Sequence, residues 1–411
     1  MGINKKDKIK EIKPEINSRK ISVMLDEVDE ARLFHIKYSS VPFAGLSNQN
    51  ELIQRIRLKA NLSISDFLAL KELLYATSNV ISYYKQNIIN NKEKLNLNFY
   101  FEQLNPLKYL YELINNTMNE DGEIYDKASS ELFEIRKKIK TLNSQVRSKM
   151  QELLLTKAKM LNENLIVIRN DRMCLCVKAE YKNVIKGVIH DESASKSTVY
   201  IEPFSALEIS NKIVGLVEEE KAEIAKILAN LSSVSFNYDK EINDNFNNLI
   251  SLDIICAKAL YAKELDAYKP KINELGIIDI KKAKHPLIDQ NKCVPIDLKL
   301  GRDYDAIIIT GPNTGGKTVA IKTCGLLTLM MQAGMLVPVD EGSEMAVFDN
   351  VFADIGDEQS IEQSLSSFSA HMKKVINILD KMTPNSLVLL DEFSALCDLI
   401  ITSDNGSRGY K

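Results

Sequence analysis

The chain has 411 residues, 53 Lys+Arg against 56 Asp+Glu, 45% hydrophobic residues and no Trp. A formal net charge of -3 excludes a globally basic nucleic-acid binder, so any such surface must be a local patch. The composition also excludes collagen-like and disordered classes, and the length suits two or three domains with cores of their own.

The first residues, Met1 to Lys13, form a charged run with no apolar segment behind it, which is not a signal peptide, and Lys6 stands where a myristoylation motif needs Ser or Thr. Up to about residue 164 the sequence is rich in Leu, Ile, Lys, Glu and Asn and poor in Gly and Pro, which favours long helices. The clearest is predicted from Glu123 to about Asn162, where Leu132, Ile135, Ile139, Leu142, Val146 and Leu153 recur at three- and four-residue steps. About forty helical residues would span roughly 60 Å.

Residues 165–203 are rich in Val and Ile, partly alternate, and are broken at Asn170-Asp171, at Gly187 and at a Ser-rich turn, predicting three or four short strands in a meander. Cys174 and Cys176 fall on one strand face, where packing is preferred to metal binding because further ligands are not at hand. The six cysteines together read as reduced core residues. Helical pattern resumes from about Phe204 to Leu265. After Pro270 short apolar runs, Ala306 to Ile309 and Leu387 to Leu390, bracket helical stretches, as buried strands of an α/β sheet do. The expected fold class is an α-helical core with a small β insertion (1–268, insertion about 165–203), followed by an incomplete α/β P-loop domain (269–411). No apolar stretch approaches the roughly 18 to 20 residues of a membrane helix, so a cytoplasmic protein without membrane partners is expected.

The chemistry concentrates in Gly311-Pro312-Asn313-Thr314-Gly315-Gly316-Lys317-Thr318, which fits G-x-x-x-x-G-K-[ST] between a predicted strand and a predicted helix. Glycines let backbone N–H groups turn toward phosphate oxygens, and the helix N-terminus adds positive potential. Lys317 is expected on the β- and γ-phosphates of ATP and the Thr318 hydroxyl on Mg²⁺. Ser386 to Glu392 reads as a buried strand delivering Asp391 to the metal and Glu392, as general base, to the attacking water. Between these, Ala353 to Met372 is polar and hydroxyl-rich. On residues alone it is either a capped exposed helix or a functional segment. Arg136-Lys137-Lys138, Lys140, Arg147 and Lys149 are candidate nucleic-acid contacts or simply the charged flanks of an exposed helix.

Taken together, GPNTGGKT, FADIGDEQSIEQSLSSFSAHM and SLVLLDE resemble the MutS family of ABC-type ATPases, closest to its MutS-two branch. The similarity extends through Lys284-His285-Pro286-Leu287, Ile168 to Arg172, Gly187 to Asp191 and back to Leu25 to Ala31, so it covers the chain from about residue 8 to residue 392. The resemblance implies a core and lever domain with a β insertion, then an ATPase domain that works as a head-to-head homodimer. It implies that Asn313 contacts the nucleotide and that Ser366, in the family's signature segment, meets the γ-phosphate held by the other subunit. Cys293-Val294-Pro295 lies where MutS proper has an aromatic, implying apolar contact with the base, and His285 is expected to be structural. Proteins of this kind act on branched or mismatched DNA, or on stalled ribosomes and their rRNA, through an ATP-gated clamp. Mismatch reading itself is not expected, because the chain starts almost directly in core sequence.

After Glu392 the family pattern of small residues, glycines and Thr is replaced by Phe393 to Lys411, and agreement stops abruptly. A truncated chain is therefore expected, by frameshift or early stop, with a diverged tail as the alternative. The N-terminus also begins later than the family's usual start. A parallel sheet left with an unpaired edge, impaired turnover and no nuclease domain would follow. The competing reading is a non-enzymatic remnant, a helical binding module with a vestigial nucleotide loop. A coiled-coil ATPase of the SMC type is disfavoured, because there the phosphate loop precedes the coil.

Overall fold

The computed structural model describes residues 5–38, 40–44, 49–89, 95–311, 315–355, 364–393 and 397–402; for 5–7, 364–372, 392, 393 and 397–402 it describes only the backbone. Helices come first: α1 (Lys5–Lys10), α2 (Ser18–Lys37), α3 (Asn50–Arg57), α4 (Ile64–Asn87), α5 (Asn98–Glu102), α6 (Lys108–Thr117) and α7 (Ser130–Thr156). Strands β1 (Leu161–Arg169), β2 (Arg172–Lys178), β3 (Gly187–Glu192) and β4 (Thr198–Pro203) follow, then α8 (Phe204–Phe236) and α9 (Asp239–Glu264). The rest alternates: β5 (Lys271–Asn273), β6 (Ile278–Ala283), β7 (Ile296–Leu300), β8 (Ala306–Ile308), α10 (Lys317–Gln332), β9 (Glu344–Ala346), β10 (Asn350–Asp354), α11 (Ser364–Lys381), β11 (Ser386–Phe393) and β12 (Cys397–Thr402). This is a largely helical chain with small sheets, ending in mixed α/β structure. Among the described residues no helix is long and apolar enough to cross a membrane.

Two compact units form, one from residues 1–48, 76–106 and 241–411, the other from 49–75 and 107–240. They cut across the sequence division at residue 268, because α2, α5 and α9 pack in the same unit as the α/β segment.

In the second unit α8 returns antiparallel along α7. Ser129 donates to Glu223 at 2.8 Å, Lys226 pairs with Glu131 at 3.2 Å, and Arg136 pairs with Glu220 at 2.7 Å. The long predicted helix is shorter than its periodicity suggested. It runs 27 residues, about 40 Å. Ser129 adopts extended geometry and its hydroxyl accepts the Leu132 N–H at 3.0 Å, a side-chain cap that starts α7 seven residues after Glu123. Upstream, Met118 and Ile124 instead form a bridge around a turn at Gly122, and downstream Leu161 already pairs with Val177 in β1. The seam itself faces inward: Leu132, Ile135, Val146 and Met150 are buried.

The strands at 161–203 do not form a simple meander; their order is β1-β2-β4-β3. A 3-10 turn at Ala179–Tyr181 makes the β2–β3 connection too long for a hairpin, whereas β3 and β4 close on a short Ser-rich turn with Lys196 at φ 56. One sheet face packs Leu175, Val177, Val199 and Ile201 against Val146 and Met150 of α7. Cys174 and Cys176 occupy the opposite face of β2 and are also buried. Cys174, Cys176, Cys256, Cys293 and Cys324 are free thiols, while the side chain of Cys397 lies outside the described residues. Burial pushes Cys174 up to about 11 and Cys256 and Cys324 up to about 12, which keeps these thiols protonated and inert.

The entry to α4 carries a reciprocal cap. Asp66 accepts from the Ser63 amide at 2.8 Å and from Arg55 Nη1 at 2.7 Å, and the Ser63 hydroxyl accepts the Asp66 amide at 3.2 Å. Burial alone would raise the Asp66 carboxyl, but the Ser63 hydrogen bonds and then Arg55 outweigh it and hold the group below its ordinary value. A folded pKa below the unfolded one stabilises fully above the unfolded value, about 3.9, and the gain is lost as pH falls through the folded value. Asp66→Asn is therefore expected to cost about 1 kcal/mol at pH 7, and the gap from the unsubstituted protein should close below about pH 4 in urea melts.

Candidate nucleotide-binding site

In the unit that holds residues 241–411, β10, β11, β12 and β8 form one sheet in that order. β10 pairs parallel with β11 across the α11 crossover, while β12 runs antiparallel to both β11 and β8. The expectation of a parallel sheet is corrected: β12 lies antiparallel between β11 and β8, and among the described residues β10 and β8 are the edge strands. The run Leu399-Ile400-Ile401 has the β-branched, apolar character of an inner strand and returns directly after the carboxylates. Leu399 pairs with Ile308 on one side and with Leu390 on the other, so β8 and β11 point the same way, with the end of β8 level with Leu390. Their axes lie two ladder spacings apart, about 10 Å.

That shared carboxyl edge is where open α/β sheets hold ligands. From it the chain leaves β8 through Gly311 and Gly316 into α10. Gly316 is the N-cap residue at φ 80, a left-handed conformation that a β-carbon would strain. Among the described residues no side chain caps this helix start, which leaves its first N–H groups to the loop. Lys317 and Thr318, the first two helical residues, are half-buried. Gly315 opens the turn beside them, whereas Pro312, Asn313 and Thr314 lie outside the described residues.

β11 supplies the carboxylate. Leu387, Val388, Leu389 and Leu390 are all buried, so the strand is covered on both faces as it leads to Asp391, 6% exposed. Asp391 Oδ1 is buried and has no hydrogen-bond partner among the described residues. An ionised carboxylate oxygen left so is costly unless a cation meets it. Together with a hydroxyl at Thr318, this hard oxygen set fits Mg²⁺, which takes one or two protein ligands and the phosphates of its nucleotide. α10 packs close over the strand because residue 325 is glycine: a β-carbon there would stand 2.3 Å from Leu389 Cδ1. Glu392 and Ser366 are placed by their backbones, at the end of β11 and in the first turn of α11, with side chains outside the described residues.

A second carboxylate escaped the sequence reading. Asp354 ends β10 in register with Leu390, is 5% exposed, and pairs with Lys374 of α11 at 3.2 Å. It lay within the polar segment already singled out, but only strand register shows that it shares an edge with Asp391. His285 behaves as a structural residue. Burial, then the charge of Lys322, holds its imidazole below the ordinary value, and its Nδ1 accepts the Leu287 N–H at 3.2 Å. The loop it anchors leaves Leu287 and Val294 78% and 80% exposed, two apolar side chains facing solvent.

Residues 307–395, which span the glycine-rich loop before α10 and both acidic strand ends, match the family model of MutS domain V. The chain belongs to the MutS family. Within it the sequence goes with the MutS2 branch. It is 42% identical over 395 residues to the putative endonuclease MutS2 of Bacillus subtilis (strain 168), covering 96% of this chain and 50% of that protein. Endonuclease MutS2 of Caldicellulosiruptor bescii is 42% identical over 388 residues, covering 94% and 49%, and that of Finegoldia magna 41% over 387 residues, covering 94% and 49%. The chain spans about half the length of these curated relatives.

Proposed function

We propose that this chain is a MutS-type ATP-binding protein that takes Mg·ATP at residues 311–318 and couples nucleotide state to engagement of DNA. One observation carries the reading: a helix start behind a left-handed Gly316 and a buried Asp391 oxygen, both without side-chain partners among the described residues, belong to the same sheet edge. In this reading the backbone of 311–316 and Lys317 hold phosphates, and Thr318 and Asp391 hold the metal that neutralises them. Glu392 is the base for the attacking water, and Ser366 serves the nucleotide of a second copy in a homodimer. Leu287 and Val294 offer apolar contact to the base. DNA as partner rests on the family and on the endonuclease names of the relatives, and branched duplexes are the first substrates to try.

Titration with a fluorescent ATP analogue, with and without Mg²⁺, beside a steady-state hydrolysis assay, tests the site. Mg²⁺-dependent binding with turnover that disappears in Glu392→Gln supports the ATPase. Binding without any turnover in the unsubstituted chain reduces the reading to the vestigial loop, and no binding overturns it. Gel shifts of branched and linear DNA with and without Mg·ATP, run beside ribosome co-sedimentation, decide the partner.

A further inference from the structure

The helix that starts at the phosphate loop ends in a buried junction that nucleotide binding alone does not require. Gln332, the last residue of α10, is 2% exposed, although long amide side chains usually lie at the surface. Its Nε2 donates to the Glu15 carbonyl and to the Phe348 carbonyl, each at 2.9 Å, and its Oε1 accepts the Phe348 N–H at 3.3 Å. Its own carbonyl accepts the Glu15 N–H at 2.9 Å. One residue on, the Ala333 carbonyl accepts Lys258 Nζ of α9 at 2.7 Å.

These are the carbonyls that a helix C-terminus leaves without intrahelical partners. Here they are taken by the segment leading into α2 and by α9, and the same amide ties in the β9–β10 connection that runs on to Asp354. There is no slack beyond them. Gly334 turns at φ 68, and a β-carbon there would lie 2.6 Å from the Met24 side chain of α2.

We propose that Gln332 is a positioning residue for the nucleotide: it fixes α10 along its axis, and with it Lys317 and Thr318 at the opposite end, against the segment around Glu15. The inference rests on reading 311–318 as the nucleotide loop. A helix of 16 residues is a stiff rod about 24 Å long, so an axial shift at one end appears at the other. Displacing it by even about 0.7 Å would stretch hydrogen bonds of 2.9 Å past the limit at which they hold. The Glu15 segment must then follow α10 or let go, which makes its amides a reporter of the loop.

Hydrogen exchange over residues 11–17, measured on the full chain with and without Mg·ATP, tests this beside nucleotide titration and thermal melting. In the unsubstituted protein nucleotide is expected to slow exchange at the Glu15 amide. Gln332→Met keeps the length and loses the hydrogen bonds; its nucleotide dissociation constant should rise at least about fivefold, and the exchange response at Glu15 should vanish. Gln332→Glu can accept from Phe348 but cannot donate to two carbonyls, and should behave like Gln332→Met. A lower melting temperature with unchanged affinity and an intact exchange response would make Gln332 merely structural and overturn the proposal. If Gln332→Met does not fold, Lys258→Met, which removes the second tie, carries the same expectations. Failure of the unsubstituted chain to bind nucleotide overturns the functional reading itself, whereas binding with no exchange response at residues 11–17 overturns only the role of Gln332.

Discussion

Lys317→Ala is expected to raise the dissociation constant for ATP about 100-fold, read by titration with a fluorescent analogue at fixed Mg²⁺. Each charge-assisted hydrogen bond from an ammonium is worth about 1.5–3 kcal/mol, and roughly 2.7 kcal/mol corresponds to that factor. The loss should fall on the triphosphate, so affinity for adenosine stays near that of the unsubstituted chain. Lys317 stands half-buried at the first helical position, where Ala is an excellent helix former. Melting without nucleotide separates loss of the phosphate contact from loss of fold, because a large drop would show that the ammonium serves the fold instead. Lys317→Arg is not expected to rescue, because a planar fork does not replace a compact point charge in a glycine cradle.

Asp391→Asn should move stability and function in opposite directions. The side chain is buried and one of its oxygens has no partner among the described residues, so a polar atom is held out of water without compensation from the fold. Exchanging the carboxylate for an amide of the same shape should raise stability by about 1–3 kcal/mol in denaturant melts. The same change should remove the Mg²⁺ dependence of nucleotide affinity, so that titrations with and without chelator coincide. A function-for-stability exchange of this sign is characteristic of sites that hold charge for a ligand. A melting temperature that falls in Asp391→Asn, with Mg²⁺ dependence intact, would sink the assignment of Asp391 as a metal ligand.

The strand–loop–helix context of Gly311, Gly316, Lys317 and Thr318 was legible because an apolar run before the glycines and a helical run after them are local features at fixed spacing. Asp391 was legible for a related reason: four apolar residues ending in an acid describe a buried strand and its tip. What stayed hidden depends on partners distant in sequence. Asp354 looked like one acid among many until its register with Leu390 placed it at the sheet edge. Gln332 in an apolar helix reads as a solvent-facing position, and only Glu15 and Phe348 reveal otherwise. The length of α7 was over-read because the stretch from Glu123 to Asn162 holds no Gly or Pro to break it, whereas Ser129 caps the helix and Leu161 turns to strand pairing. Strand order at 161–203 depends on how one connection wraps, and composition does not record that.

The pairing of α7 with α8 has a mechanical consequence. The polar ties between them that involve Ser129, Glu131 and Arg136 all lie within the first two turns of α7, meeting α8 at residues 220–226. Farther along, Thr141 and Leu142 face Gly215 and Leu216 across an open groove of about 540 Å³, before Val146 and Met150 reach the four-stranded sheet. These polar ties and the packing on the sheet thus lie toward opposite ends of α7. With an arm about 40 Å long, a tilt of about 5° at the Ser129 end carries the sheet sideways by about 3.5 Å, roughly the rise of one residue in a strand. Small angular changes at the root of this hairpin are thus read out at its tip as whole-residue displacements.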